Sequence, residues 1–434
     1  MNAGSPLLKV AIVSDIQGYA REYDWGMHNT ELAFQLLAPK KPDVLVMAGD
    51  LTDGWRKDAF AYYQGLVGQY FAGKIPVSVA CAGNHDYLSL DHCRRGDKVW
   101  AEQLYRQFAE TLGQPPDNPF HTVVGGYDFI ALSEDIYFDQ PIRYSDDLIG
   151  KLEAELKKAV ARDPAKPVFV VTHFLPRNTV PGSHGKSGLQ ELRDLFDRFP
   201  QVVSFGGHVH YPLEDERNIW QGGFTAIQTA TLSYACMEER PFNACNGIIP
   251  FAREAVQCMY MEVFADRLEI HRYNVEEQRE IKPDRFWTVP LPFDPAAAPY
   301  TDARRERRKA PEFLPGTKAF LRYDFGYLYL LFEEAKHDDF VHFYKLVLSD
   351  LDEAGNAVFK TEKLYVSNFY RLDRNRDRRQ VIQLPGTDLT PSGMMRAEIY
   401  PVESFGNTGK PLVVDFRNPM RTPAKPGLTD RPQE

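Results

Sequence analysis

A chain of 434 residues is too long for one typical domain, and with 43% hydrophobic and 26% charged residues it has ordinary material for globular cores. A formal net charge of −9 argues against a nucleic-acid duplex as the main partner, and no stretch has the apolar length of a transmembrane segment. Five cysteines, an odd number without paired short spacings, give neither a disulfide framework nor a zinc ribbon. Cys81, inside an apolar run, reads as a small buried residue. The N-terminal Met-Asn-Ala-Gly-Ser-Pro carries no signal peptide, an absence that trimming of the chain would also produce.

Residues 8–14, Leu-Lys-Val-Ala-Ile-Val-Ser, form a β-branched run that predicts a buried strand. Residues 43–48 predict a second, followed at once by Gly49-Asp50, and residues 75–80 a third, ending at Gly83-Asn84. Residues 168–172 and 202–205 repeat the pattern, and helix-compatible stretches lie near 28–39, 57–72, 97–112, 146–161 and 187–198. Strands alternating with helices predict an α/β sandwich whose chemistry sits in loops at strand ends. Beyond about residue 223 the chain changes character: residues 224–232 and 259–273 look extended, the latter turning at Ala265-Asp266-Arg267. The Pro-rich stretch 289–315 predicts a linker, and its run Arg304-Arg305-Glu306-Arg307-Arg308-Lys309 reads as solvated chain. Short aromatic and β-branched runs at 319–323, 327–332, 340–348, 381–384 and 395–400 predict a smaller all-β sandwich. The expected organisation is thus a domain over 8–288, a linker over 289–315, a β-sandwich over 316–418 and a polar tail over 419–434.

Each early strand ends in groups able to bind a metal. The first delivers Asp15 and Gln17, the second Asp50 and then Asp53, the third Asn84, His85 and Asp86; later strands deliver His173, then His208 and His210. An oxygen-rich set with imidazoles suits a borderline divalent cation such as Mn, Fe or Zn. Parallel strands place their C-terminal ends on one sheet edge, so residues distant in sequence can converge there. One aspartate after a strand is most often a turn former and one histidine most often a satisfied surface or core residue. Five such groups in order, each directly after an apolar strand, are not explained that way.

The order Asp15-Ile16-Gln17, Gly49-Asp50-Leu51-Thr52-Asp53, Gly83-Asn84-His85-Asp86, Thr172-His173 and Gly207-His208-Val209-His210 resembles the calcineurin-like metallophosphoesterases, over roughly residues 8–275. Their signature runs Asp-x-His, Gly-Asp-x-x-Asp, Gly-Asn-His-Asp/Glu, a later His, then Gly-His-x-His. The resemblance implies a metallophosphoesterase αββα sandwich and a phosphohydrolase using two divalent metal ions and a hydroxide that bridges them. By the same resemblance Asp50 bridges both metals, Asp15 and His210 hold the first, and Asn84, His173 and His208 hold the second. His85 then protonates the leaving oxygen and Asp53 orients it. Two cations about 3.5–4 Å apart offset the charge of the phosphate oxygens and lower the pKa of a water between them. Gln17 stands where most members place a histidine; its neutral amide oxygen is a weaker ligand than imidazole, which favours Mn over Zn at the first metal. Members with Asp-x-Gln occur among phosphodiester- and nucleotide-cleaving branches as well as phosphatases, so such small-molecule substrates are favoured. A phosphomonoesterase of phosphosugars or phosphoproteins, and a non-catalytic binding protein with a degenerate metal site, stay open as alternatives. No tyrosine stands at position 53, which argues against a purple ferric site.

His28, early in the first helix, and Arg177 and His184, in a glycine-containing loop, are candidate contacts to substrate. Tyr87 reads equally as a pocket wall and as a structural residue. The stretch Met395 to Leu412, with Ser404-Phe405-Gly406-Asn407, resembles the last strands of a fibronectin type III-like domain. Such modules dock against catalytic domains or bind partners in extracytoplasmic proteins, which leans the expected location towards periplasmic or secreted rather than cytoplasmic. The oligomeric state is not legible.

Overall fold

The computed structural model describes residues 4–19, 24–54, 56–87, 98–135, 144–237, 249, 251–324, 327–370, 379–384, 386–391 and 393–419. Cys93, Cys245 and the tail over 420–434 lie outside the described residues. The described residues fall into two compact units, one up to Arg307 and one from Arg308 onward.

The first unit runs β1 (Leu8–Val13), α1 (Trp25–Leu37), β2 (Val44–Ala48), α2 (Lys57–Tyr70), β3 (Val77–Cys81), α3 (Lys98–Thr111), β4 (Phe120–Val124) and β5 (Tyr127–Leu132). It continues with α4 (Asp146–Arg162), β6 (Val168–Thr172), the short pair β7 (Leu175–Pro176) and β8 (Gly188–Leu189), α5 (Gln190–Phe196) and β9 (Val202–Gly206). It closes with β10 (Ile219–Gln221), β11 (Thr225–Gln228), β12 (Gln257–Val263), β13 (Arg267–Asn274), β14 (Arg279–Ile281) and β15 (Trp287–Pro290). One sheet has the order β14-β13-β12-β1-β2-β3, with β15 also paired to β13; the other has the order β10-β11-β9-β6-β5-β4. Strands β1, β2 and β3 are parallel, as are β5, β6, β9 and β11.

Three cores make these sheets a four-layer αββα sandwich. Val10, Ile12, Val46, Phe129, Phe169, Phe205 and Met261 fill the space between the sheets. Phe34, Phe60 and Phe108, on α1, α2 and α3, cover the outer face of the first sheet, and Leu148, Leu152, Leu156 and Leu192 cover that of the second. A strand buried on both faces has no polar side to show, which is why β2 and β6 read as unbroken apolar runs. Helix α4 follows from local chemistry: the Ser145 side chain caps Leu148 N–H, Asp146 and Asp147 occupy the first turn, and Arg162 the last. Its buried Leu148, Leu152 and Leu156 recur every four residues, one stripe on one face.

The stretch expected to open a linker is packed onto the first unit. Strand β15 pairs with β13 from Trp287 to Pro290, and Tyr300 O accepts from Gln221 N at 3.1 Å. Asp302 accepts from Trp220 Nε1 at 3.0 Å, and Arg304 Nη2 donates to Ile219 O at 2.6 Å. The proline-rich composition thus covers the edge strand β10 without adding a strand to it.

The second unit contains β16 (Phe320–Asp324), β17 (Tyr327–Glu333), β18 (Val341–Leu351), β19 (Ala357–Val366), β20 (Arg379–Leu384), β21 (Met394–Glu403) and β22 (Leu412–Arg417). They form two antiparallel sheets, β16-β17-β20 and β19-β18-β21-β22, around Leu330, Phe332, Tyr344, Leu346, Ile382 and Ile399. Arg308, expected to be solvated, instead pairs with the buried carboxylates of Asp339 at 2.8 Å and Glu403 at 3.0 Å.

Candidate active site

Strands β1, β2 and β3 of one sheet and β6 and β9 of the other bring their C-terminal ends to one edge, where the motif residues meet. The loops are laced together by backbone: Asp15 N donates to Gly49 O at 3.0 Å and Gln17 N to Asp50 O at 2.8 Å. Asp15, Gln17, Asp50, His208 and His210 have φ between 48° and 71°, the left-handed region that non-glycine residues seldom occupy. Gly49, with φ 88°, lies against the His173 ring, where any Cβ would collide with the imidazole.

Asp50 is buried at the centre. Its Oδ1 accepts from His85 N at 2.8 Å, and its Oδ2 lies 3.2 Å from His173 Nε2 and 3.5 Å from Gln17 Nε2. His173 Nδ1 donates to Ala48 O at 3.0 Å, which turns Nε2 towards Asp50 and towards Asn84 Oδ1, also at 3.0 Å. His208 presents Nδ1 to the same Asn84 oxygen at 3.0 Å and to His173 Nε2 at 3.3 Å. His210 Nδ1 donates to Tyr234 O at 2.8 Å, leaving Nε2 3.0 Å from Asp15 Oδ1. Asp15 also accepts from His208 N at 3.0 Å and from the Ser14 hydroxyl. Backbone carbonyls thus fix the orientation of two imidazoles, as they do for metal-ligating histidines.

This donor set fits divalent cations. Ligand atoms of Asp15, Asp50 and His173 all lie within 4.8 Å of one another. Two imidazole nitrogens and a carboxamide oxygen converge within 3.3 Å, which is crowded for neutral groups and natural around a cation. Burial opposes charge on His173, yet the Asp50 carboxylate beside it raises its pKa to about 10. Loss of solvation and the neighbouring His173 push His208 down to about 3, since two imidazoles in contact, one of them fully buried, resist being charged together. Residues present would therefore hold one cation through Asp15, Gln17, Asp50 and His210, and another through Asp50, Asn84, His173 and His208.

Beside these candidate ligands, His85 Nδ1 lies 2.8 Å from Asp53 Oδ1, and its Nε2 lies 4.0 Å from Asp50 Oδ2. Burial pushes His85 down, but the Asp53 hydrogen bond and the charges of Asp50 and Asp53 prevail and raise it to about 9. Asp53 is held below its ordinary value chiefly by its bond to His85. Its second oxygen accepts from the Tyr19 hydroxyl, and the Arg56 guanidinium lies over the Tyr19 ring at 4.5 Å. Asp86, last residue of the Gly-Asn-His-Asp motif, clamps the loops: it accepts from Thr52 N at 2.8 Å, Gly83 N at 2.9 Å and Leu51 N at 3.3 Å.

The three candidate substrate contacts lie differently. His28 is exposed on α1, whereas its neighbour Asn29 is buried and donates to Leu232 O at 2.9 Å. His184 is exposed, with Nδ1 3.2 Å from Asn178 Oδ1. Arg177 is half-buried at the mouth of the β7–β8 loop, its backbone N donating to Leu189 O at 3.0 Å. Tyr87 is buried in the core that includes Phe60 and Phe108, and its hydroxyl donates to Glu134 O at 3.0 Å. Tyr19, Arg56 and Tyr234 were not singled out from sequence, whereas Asp86 was named with its motif but given no role of its own. Tyr19 had a signal, four residues after Asp15 in the same loop; Tyr234, between β11 and β12, follows no motif.

The geometry agrees with a comparison of whole families: residues 8–212 match the calcineurin-like phosphoesterases. Residues 8–212 are a calcineurin-like phosphoesterase domain. The protein is accordingly a phosphoester hydrolase with a dinuclear metal site. No curated protein matches the chain significantly. Among solved structures, the chain is similar to a dimetal phosphatase from Danio rerio at 11% identity and TM-score 0.44, covering 66% of this chain and 99% of that one. It is also similar to a purple acid phosphatase from yellow lupin, Lupinus luteus, at 15% identity and TM-score 0.44, over 65% of this chain and 53% of that one. The anchor of the inner membrane complex of Plasmodium is similar at 14% identity and TM-score 0.43, over 68% of this chain and 90% of that one. At these identities and scores the likenesses bear on neither substrate nor metal. Among the described residues no helix is long and apolar enough to cross a membrane.

Proposed function

We propose that this phosphoesterase cleaves a small phosphodiester or nucleotide ester, with His85 as the general acid and Mn the favoured metal. The observation that carries the reading is the His85–Asp53 pair set against the Asp50 carboxylate, at 2.8 Å and 4.0 Å. When bound, two divalent cations supply Lewis acidity, offsetting charge on the phosphate and lowering the pKa of a water. The chain's own residues do the rest. Asp53 holds the Nδ1 proton of His85, so Nε2 faces the substrate side carrying the proton that the departing oxygen needs. With its pKa raised to about 9, His85 carries that proton at neutral pH. Tyr19 in turn fixes Asp53, and buried Asp86 keeps the loops bearing Asp50, Asn84 and His85 in register.

Support for a diester comes from Gln17, which replaces a strong imidazole ligand by a weaker neutral one at the first half-site. Arg177, His184 and His28 stay proposed as substrate contacts. Among the described residues, the second unit's seven strands, three against four, support reading it as a fibronectin type III-like module. Full-length protein supplied with Mn is expected to hydrolyse bis(p-nitrophenyl) phosphate faster than p-nitrophenyl phosphate. His85→Ala is expected to keep its metals and lose roughly 100-fold to 10,000-fold in turnover. Full activity in that variant would remove His85 as the acid, and a preference for the monoester would reverse the substrate class.

A further inference from the structure

Arg56 stands at the N-terminal end of α2, three residues after Asp53, and is half-buried. Its guanidinium lies over the Tyr19 ring, 4.5 Å from the centroid, and the Tyr19 hydroxyl donates to Asp53. Asp53 in turn holds His85 Nδ1 at 2.8 Å. Arg56 therefore stands on the His85 side of the site, one tyrosine ring beyond Asp53.

This arginine lacks what the other enclosed arginines have. Arg272 meets Leu213 O and Glu216, and Arg308 meets Asp339 and Glu403. The Nε of Arg56 is buried without a hydrogen-bond partner, and among the described residues no oxygen accepts from its other N–H groups. The acids on this side are already engaged. Asp53 is bonded to His85 and Tyr19, and Asp24, which feels the Arg56 charge, accepts from the backbone of Tyr19, Gly26 and Met27. A ring beneath a guanidinium engages its face and leaves the fork of in-plane N–H groups free, a fork that matches the oxygens of a phosphate. A charge partly withdrawn from water without a partner is better suited to an anion that arrives from outside than to its present surroundings.

The course of the reaction selects the anion. With His85 as the acid, water adds to phosphorus, the bond to the leaving oxygen breaks, and His85 gives that oxygen its proton. Whatever the leaving oxygen carries lies on the His85 side, where Tyr19 and Arg56 stand. We propose that Arg56 is a specificity-determining residue that receives a second phosphate, so that the preferred substrate is a diester whose departing half is itself phosphorylated. The proposal rests on the diester reading above.

The test compares three dinucleotides on full-length protein supplied with Mn: TpT, pTpT with an extra 5′ phosphate, and TpTp with an extra 3′ phosphate. The products of TpT show which half leaves: 5′-thymidylate marks the 5′ nucleoside as the leaving half, 3′-thymidylate the 3′ nucleoside. Wild type is expected to show a KM roughly tenfold lower when the extra phosphate is on the leaving half, with no such gain from the other half. In Arg56→Ala that gain is expected to vanish while the KM for TpT stays within about twofold of wild type. Turnover of TpT reports that the variant is folded. A wild type indifferent to a phosphate on the leaving half, or an Arg56→Ala variant that keeps the gain, would overturn the proposal. So would equal losses on TpT and its phosphorylated form, which would make Arg56 a support for Tyr19 alone. A wild type that cleaves none of the three would instead overturn the diester reading, and the proposal with it.

Discussion

The side chains at the catalytic edge hang from backbone that most residues avoid. Left-handed conformations at five of them cost about 1–3 kcal/mol each, and something must hold the loops against relaxation. Asp86 is that holder: one buried carboxylate takes N–H bonds from Leu51, Thr52 and Gly83 and a hydroxyl bond from Thr52. Asp86→Ala leaves those buried donors unpartnered at roughly 1–3 kcal/mol each. Denaturant unfolding of the metal-free variant is expected to show a loss of at least about 2 kcal/mol; stability within about 0.5 kcal/mol of wild type would contradict the assignment. At this scale the sequence exposes much of the site, because each motif residue follows an apolar strand and strand ends converge in any parallel sheet. Tyr234 and Arg56 were not legible for the opposite reason. Their positions depend on where loops fold back, which local pattern does not encode.

Between sheets lies a charged knot that secures the segment following His210. Arg272 of β13 is fully buried, with Nη1 2.9 Å from Leu213 O and 3.1 Å from Glu216 Oε1. Lys282 donates to Glu216 at 2.9 Å and Trp287 Nε1 to its other oxygen at 2.7 Å. Burial raises the pKa of Glu216, but Arg272 and Lys282 overcome it and hold the carboxyl below the ordinary range. The sign follows: a depressed folded-state pKa contributes stability above the unfolded value and loses it as pH falls through the folded one. Removing one partner of such a buried cluster costs roughly 3–5 kcal/mol, because Arg272 and Lys282 keep their charge. Glu216→Ala is therefore expected to lower the melting temperature at pH 7, with the gap to wild type closing in acid below about pH 4; a gap independent of pH would contradict it. Elements buried on both faces, β1, β2, β6 and β9, were legible as apolar runs, as was the edge strand β3. The β4–β5 hairpin was passed over although Gly125-Gly126 separates its strands, and β19 escaped because its side chains are largely exposed and carry no alternation.

Across the whole molecule the division of labour is clear in where the cores lie. Three clusters serve the phosphoesterase unit, and a fourth serves the β-sandwich that begins at Arg308. Residues 289–307 belong with the first, since Tyr300, Asp302 and Arg304 tie it to β10; proline content alone pointed to a linker. The account's central claim belongs to this scale too, because strand ends from both sheets must meet for two cations to share one carboxylate. Asp50 is the carboxylate we propose for that role. The most direct test is elemental analysis of metal-supplemented, desalted full-length protein and its Asp50→Ala variant, with diester hydrolysis measured on the same samples. The account predicts two divalent ions per wild-type chain, with both ions and turnover lost together in Asp50→Ala. Two ions retained in the variant, or none in the wild type, would contradict it.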